Sequence, residues 1–164
     1  MTGHELTHAV TERTSNLTYS GQSGGLNEAS SDILGNMVEK WARGEAESDL
    51  YTVWTVGDDC WTPSTPNDGL RYMYDPAKDG SSLDWYPNYA GQDVHYSSGI
   101  ANLAFYLLSQ GGVHPRGKST INVAGAVSAT ADNSATIKAV SGVKSEMAWE
   151  NEFAVIESFQ AVPE

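Results

Sequence analysis

The first chemically informative run of the sequence is His4-Glu5-Leu6-Thr7-His8, which has the form H-E-x-x-H. On an α-helix, His4 and His8 lie one turn apart on the same face, so both imidazoles can bind one metal ion. Glu5 is the next residue round the helix, near enough for its carboxylate to reach a metal-bound water. The run therefore predicts a zinc site that hydrolyses amides, with a solvated helical turn as the alternative.

A second helix is predicted from about residue 25 to 41, because apolar residues recur there with a period near 3.6. The apolar positions are Leu26, Ala29, Ile33, Leu34, Met37, Val38 and Trp41. Glu28 and Asp32 share a face beside this stripe, where carboxylates are costly unless a cation meets them. Glu28 is the expected third zinc ligand, and Asp32 is expected to accept a ring N–H from a ligating histidine. The alternative is a pair of surface acids on the helix flank.

The composition limits the classes of partner. The chain has 164 residues and a net charge of −12, which argues against nucleic acid and against an anionic membrane surface as partners. No apolar stretch approaches membrane-spanning length. With Cys60 as its single cysteine, the chain has no internal disulfide. These features are typical of a soluble extracellular protein, and the negative charge is compatible with calcium as a ligand.

Four segments, in order along the chain, resemble the thermolysin family of zinc metalloendopeptidases (gluzincins), and the last is closest to the pseudolysin branch. They are G-H-E-L-T-H-A-V-T at 3–11, G-G-L-N-E-A-S-S-D-I-L-G at 24–35, L-R-Y-M-Y-D-P-A-K-D-G at 70–80 and Y-A-G-Q-D-V-H-Y-S-S-G-I at 89–100. The resemblance covers residues 2 to about 112. It implies a zinc-dependent endopeptidase, represented by its catalytic, C-terminal part.

The resemblance also implies catalytic roles. Glu5 would activate the zinc-bound water and pass its proton to the leaving amine. His95 and Tyr19 would donate hydrogen bonds to the oxyanion of the tetrahedral intermediate. Asp93 would orient His95, and Arg71 would hold a substrate carbonyl. Without the family pattern, a loop histidine, a packed loop tyrosine and a loop salt bridge would be the simpler interpretations of His95, Tyr19 and Arg71.

Further residues match binding positions of the family. The implied zinc ligands are His4, His8 and Glu28, with Asp32 orienting His4. Leu70 and Val56 resemble apolar residues around the pocket for the side chain after the scissile bond, so an apolar preference there is expected.

A weak calcium site is also considered, because one acid matches a family calcium ligand and two more follow nearby. These acids are Glu39, Asp58 and Asp59. Val53 and Thr55 occupy positions where calcium-binding members often carry acids, so a double calcium site is not expected.

The expected fold is mainly α, with a long coiled segment over residues 45–94. A third helix is predicted from about 98 to 110 and a last one over about 145–160. The chain is interpreted as a single domain, residues 1–164. Its parts are a zinc-binding catalytic subdomain at 1–112 and a divergent, shortened helical part at 113–164.

The family's N-terminal β-rich domain, which forms the opposite wall of the cleft, is expected to be absent. No signal peptide is visible, and since family members are secreted with a propeptide, the chain is expected to be part of a longer precursor. Its partners would be a peptide or protein substrate and a propeptide or the missing domain. Two alternatives to the peptidase are a truncated, weak or silent zinc-binding interaction module, and a zinc hydrolase with a small amide substrate.

Overall fold

The computed structural model describes residues 1–46 and 49–125. Its main elements are α1 (Thr2–Arg13), α2 (Gly21–Arg43), α3 (Val94–Gln110) and two short antiparallel strands, β1 (Thr55–Val56) and β2 (Arg71–Tyr72). The predicted mainly α class is confirmed. The helix expected at about 145–160 lies outside the described residues. No helix in the described part of the chain is long and apolar enough to cross a membrane.

The long segment between α2 and α3 supplies much of the hydrophobic core. The core cluster consists of Ile33, Val53, Trp54, Val56, Met73 and Phe105. The buried Asn36 amide of α2 donates to the carbonyls of Val53 and Thr55, both at 3.1 Å. The coiled segment is therefore fixed to α2 by hydrogen bonds as well as by apolar packing.

The buried face of α2 differs from the predicted apolar stripe. Ala29 and Ile33 are buried as expected, but Leu34, Val38 and Trp41 are exposed, Trp41 by 75%. The face that contacts the other helices is small and polar, with Gly25, Asn27, Glu28, Ser31, Asp32, Gly35 and Asn36 all buried. Hydrophobic periodicity misses this face because its carboxylates and amides find hydrogen-bond partners inside the protein, which removes the usual cost of burying them.

A glycine sets the distance between α1 and α2. A Cβ atom at Gly35 would lie 2.8 Å from the backbone nitrogen of His4, closer than packed atoms allow. The absence of a side chain at Gly35 therefore lets His4 approach α2.

Replacing Gly35 by alanine is expected to destabilise the chain by about 1–3 kcal/mol, the usual cost of overpacking a filled interface. Urea unfolding of the metal-free chain measures this effect. The direction of the change in unfolding free energy is diagnostic, because replacing a helical glycine that lacks such a contact by alanine would stabilise the chain by about 1 kcal/mol. A higher unfolding midpoint for the variant would contradict the predicted contact.

The third helix begins at Val94, four residues before its predicted start. Asp93 is the N-cap, and its carboxylate accepts the backbone N–H of His95 at 3.0 Å. The helix crosses α2 closely, since a Cβ atom at Gly25 would lie 2.5 Å from Oγ of Ser97. This crossing brings the first turn of α3, with His95, beside the polar face of α2.

Candidate metal centre and cleft

Three side chains from two helices converge on one point. His4 and His8 extend from α1, and their Nε2 atoms lie 3.1 Å apart. Carboxylate oxygens of Glu28 on α2 lie 3.5 Å from Nε2 of His4 and 3.3 Å from Nε2 of His8. Over residues 1–46 and 49–125, they form the only group of three or more His, Cys, Asp or Glu side chains close enough to share a metal ion.

The spacing of the two ring nitrogens and the nearby Glu28 carboxylate is compatible with zinc. Ligand atoms about 2.0–2.1 Å from a tetrahedral zinc ion are separated from one another by about 3.4 Å. The two Nε2 atoms lie 3.1 Å apart, and Glu28 approaches them through different oxygens, Oε2 at 3.5 Å from His4 and Oε1 at 3.3 Å from His8. Two imidazoles and a carboxylate are also a donor set that zinc prefers. Three protein ligands leave a tetrahedral ion one open position, as in catalytic rather than structural zinc sites.

The outer ring nitrogen of each histidine faces an oxygen atom of α2, as a hydrogen bond for His8 and as a close ion-pair contact for His4. Nδ1 of His4 lies 3.0 Å from Oδ1 of Asp32, and Nδ1 of His8 lies 2.7 Å from Oδ1 of Asn27. Asn27 in turn donates to the carbonyl of Leu17 at 3.1 Å. Because Nδ1 is engaged in each ring, Nε2 is the atom that each histidine presents to the shared point.

Asn27 is a residue of the site that the sequence motifs do not indicate. The signal was its place beside Glu28, on a helix face that buries carboxylates.

Asp32 is fully buried and remains charged. Burial alone would raise its pKa, but the nearby His4 ring nitrogen and the Arg71 guanidinium lower the pKa below its usual range. Arg71 binds Asp32 through two nitrogens, with Nε at 2.8 Å and Nη2 at 2.6 Å. A charged carboxylate is the stronger acceptor for the His4 ring.

A cleft of about 430 Å³ opens beside the converging ligands. Its walls include Glu5, Tyr19 and His95, together with Glu12 and Leu17. Glu5 is exposed to solvent in this cleft. A solvent-exposed carboxylate in the cleft wall is suited to accept and release a proton.

Tyr19 and His95 form a linked pair on one side of the cleft. The Tyr19 hydroxyl donates a short hydrogen bond to Glu28 and lies 3.1 Å from Nε2 of His95. Nδ1 of His95 lies 2.6 Å from Oδ1 of Asp93. Burial and the hydrogen bond to Glu28 raise the pKa of Tyr19, so its hydroxyl keeps its proton and remains a donor at neutral pH. The backbone N–H and ring nitrogen of His95 lower the pKa of Asp93.

Arg71, Leu70 and Val56 lie outside the cleft wall. Arg71 is 7% exposed and directs two nitrogens at Asp32, with Nη2 also 3.7 Å from Glu28. Val56 is buried in the core, and its carbonyl accepts the N–H of the partly buried Leu70 at 2.8 Å. Their predicted contacts with a substrate therefore remain predictions.

The three acids considered for calcium surround an arginine. Arg43 bonds to Glu39 at 2.5 Å, forms a short hydrogen bond to Asp59, and lies 3.8 Å from Asp58. Burial, followed by the charges of Asp59 and Glu39, raises the pKa of Asp58. The carboxylates are compatible with calcium, but the guanidinium holds the position that a cation would take. This arrangement does not fit a calcium site.

Replacing Arg43 by alanine is expected to lower stability at pH 7 by about 1 kcal/mol, because a network of like charges loses its cation. The deficit should shrink as the pH falls, since protonation of Asp58 relieves the repulsion. Calcium should raise the unfolding temperature of the variant more than that of the unchanged chain. Arg13→Ala, at the exposed end of α1, is the matched control. Equal calcium-induced stabilisation of the unchanged chain would contradict the assignment of Arg43 as the cation.

Comparisons with a family model and with known sequences agree on one family. The model of the thermolysin metallopeptidase α-helical domain matches residues 15–158. The chain is 50% identical over 116 residues to bacillolysin from Bacillus caldolyticus, a match that covers 68% of this chain and 20% of that protein. It is 52% identical over 112 residues to the transglutaminase-activating metalloprotease of Streptomyces mobaraensis, covering 66% of this chain and 14% of that protein.

A solved structure gives a similar result. The precursor of protealysin, a metalloproteinase from Serratia proteamaculans, superposes with a TM-score of 0.54 at 32% identity. The match covers 65% of this chain and 37% of that structure. The chain spans about a fifth of the length of bacillolysin and the other thermolysin-type relatives.

Proposed function

Because this chain belongs to the thermolysin metallopeptidase family, we propose that it carries the zinc site and catalytic residues of an endopeptidase. One observation carries this proposal: His4, His8 and Glu28 converge closely enough to share a metal ion, beside a cleft that contains Glu5. A purely structural zinc site would have a fourth protein ligand and no need for a carboxylate in an adjoining cleft.

Zinc held by His4, His8 and Glu28 would lower the pKa of water to about 7 and polarise the substrate carbonyl. Glu5 takes the proton of the attacking water and delivers it to the leaving amine, the work of a general base that becomes a general acid. Tyr19 and His95 donate hydrogen bonds to the oxyanion as the carbonyl becomes tetrahedral. Asp93 supports this role by fixing the His95 ring through Nδ1.

The proposed substrate is a peptide or protein bound across the cleft, with an apolar residue after the scissile bond. Leu70 and Val56 would form part of that pocket, and Arg71 would reach a substrate carbonyl with a guanidinium N–H that Asp32 does not use. In the absence of substrate, the bond from Tyr19 to Glu28 occupies the hydroxyl that would turn to the oxyanion.

We further propose that the chain acts outside the cell, in keeping with the extracellular role expected from the family resemblance. A propeptide is a plausible class of partner, because one solved relative is a precursor of a metalloproteinase.

A second candidate function is a zinc-binding module with little or no activity. It is favoured by the hydrogen bond from Tyr19 to Glu28, which occupies a hydroxyl that the catalytic reaction would need. Both candidates share the same zinc ligands and differ in whether Glu5 acts on a substrate.

Hydrolysis of two quenched fluorescent peptides separates the candidates. The peptides differ only in having Leu or Asp after the scissile bond, and each is tested with equimolar zinc and with a chelator. The peptidase is expected to cleave the Leu peptide faster, and the chelator is expected to stop cleavage. Zinc binding without cleavage of either peptide would favour the silent module, and equal cleavage of both would refute the apolar preference.

A further inference from the structure

Asp32, beside the proposed metal site, accepts from donors on both of its oxygens. Oδ1 lies 2.6 Å from Nη2 of Arg71 and 3.0 Å from Nδ1 of His4. Oδ2 accepts from Nε of Arg71 at 2.8 Å and from Nδ2 of Asn102 at 2.9 Å. A carboxylate has about four lone-pair sites; the three hydrogen bonds from Arg71 and Asn102 use most of them, and the His4 ring nitrogen lies in close contact with Oδ1. Asp32 is completely buried, so no solvent can replace a lost donor.

The donors come from different parts of the fold. His4 lies on α1, Arg71 on β2 and Asn102 on α3, whereas Asp32 lies on α2. Asn102 thus ties the third helix to the carboxylate that contacts the His4 ring. Arg71 bonds to both oxygens along one edge of the carboxylate, and Asn102 adds a second donor to Oδ2. Together they fix the plane of the carboxylate and so the direction of Oδ1 towards His4.

The side-chain oxygen of Asn102, Oδ1, accepts no hydrogen bond from the described part of the chain. The side chain is 1% exposed. A residue that only filled space here would be better as an apolar side chain, because a buried amide oxygen without a donor is costly. The hydrogen bond from Nδ2 to Asp32 is therefore the interaction that an amide provides here and an apolar side chain would not.

We propose that Asn102 is a positioning residue of the metal centre, which orients His4 through Asp32. This inference rests on the proposed function only in taking His4 to be a zinc ligand. Partners of this kind fix the ring orientation and basicity of a ligating histidine, and their loss commonly weakens metal binding by about 10–100-fold. Asn102 touches neither the ligand atoms nor the cleft, so its effect must pass through Asp32.

The test is zinc affinity, measured by competition with a chromophoric chelator, for the whole chain and for Asn102→Ala. The variant is expected to bind zinc about 10–100-fold more weakly. Asn102→Leu is measured in parallel, because it removes the donor while filling the space, so one variant remains informative if the other does not fold. Zinc affinity within about twofold of the unchanged chain in a folded variant would overturn the inference.

Asn36→Ala is the matched control. Asn36 is another buried asparagine, on the same helix as Glu28 and Asp32, but its amide serves the carbonyls of Val53 and Thr55. This variant should unfold at a lower temperature and keep its zinc affinity. An equal loss of zinc affinity in both asparagine variants would identify a general effect of destabilisation and would overturn the inference.

A double-variant cycle tests the route of the effect. With Asp32→Ala in place, adding Asn102→Ala should weaken zinc binding no further, because the two residues act in series. Additive losses would show that Asn102 acts independently of Asp32. Failure of the unchanged chain to bind zinc would instead contradict the proposed function. Zinc binding without peptide cleavage would contradict only the catalytic part of that proposal, and the effect of Asn102 on zinc affinity would still decide the inference.

Discussion

Replacing Glu5 by glutamine is expected to lower the rate of peptide hydrolysis by about 100- to 10,000-fold, the usual contribution of a general acid and base. Glutamine keeps the size of the side chain and removes its ability to accept and release the proton. Because Glu5 is exposed in the cleft and is absent from the ligand group, zinc affinity should change little. Steady-state hydrolysis and chelator competition on the same samples measure both effects.

Glu12→Gln is the matched control for Glu5→Gln. Glu12 also lies in the cleft wall, on the same helix, and carries the same charge. The control should keep nearly full activity, which separates loss of a proton carrier from loss of negative charge in the cleft. Substantial hydrolysis by Glu5→Gln would show that another group moves the proton.

Replacing Glu28 by alanine is expected to weaken zinc binding by at least about a thousandfold, since one of three protein ligands is lost. Hydrolysis should fall to the level seen with the chelator. The carboxylate is 1% exposed and lies within 3.7 Å of His4, His8 and Arg71, so its removal also changes the charge balance of a buried cluster. Isothermal calorimetry with zinc and circular dichroism of the metal-free variant measure the two effects separately.

The fold should survive the loss of Glu28, because Arg71 keeps its two bonds to Asp32. Asp68→Ala offers a control outside the centre, where a carboxylate binds Thr62 and Tyr72. That variant should keep its zinc affinity. Tight zinc binding by a folded Glu28→Ala chain would place the ion elsewhere and would contradict the proposed ligand set.

The pairing of the proposed metal-site residues within each helix was predictable from the sequence because their spacing is local. His4 and His8 are brought together by a single helical turn, and Glu28 and Asp32 by another. Each pair depends only on the period of the helix on which it lies. The distance between the two helices, by contrast, depends on the close contact at Gly35, which no periodicity reveals.

The boundaries of the helices were less predictable. Apolar periodicity placed the ends of α2 at about 25 and 41, but the helix continues to Gly21 and Arg43 through residues with little apolar signal. The early start of α3 follows from the N-cap Asp93, a signal that the sequence does contain. The strands β1 and β2 are two residues long, too short for an alternating pattern to show.

Contacts between distant segments could not be predicted. Asn102 lies 70 positions from Asp32, and Asp59 of the coiled segment lies 16 positions from its partner Arg43. Such contacts depend on the packing angles of the helices and on the path of the loops. Local sequence patterns do not determine either of them. They are also the contacts that decide whether a cluster of acids holds calcium or an arginine.

Zinc-edge X-ray absorption of the chain loaded with one equivalent of zinc identifies the atoms that bind the ion. We expect a shell of nitrogen and oxygen atoms at about 2.0–2.1 Å that includes two imidazoles, and loss of one imidazole in His8→Ala. A sulfur neighbour at about 2.3 Å would contradict the account, because Cys60 would then be a ligand. An unchanged spectrum in His8→Ala would contradict it equally, because the ion would then lie outside the site formed by His4, His8 and Glu28.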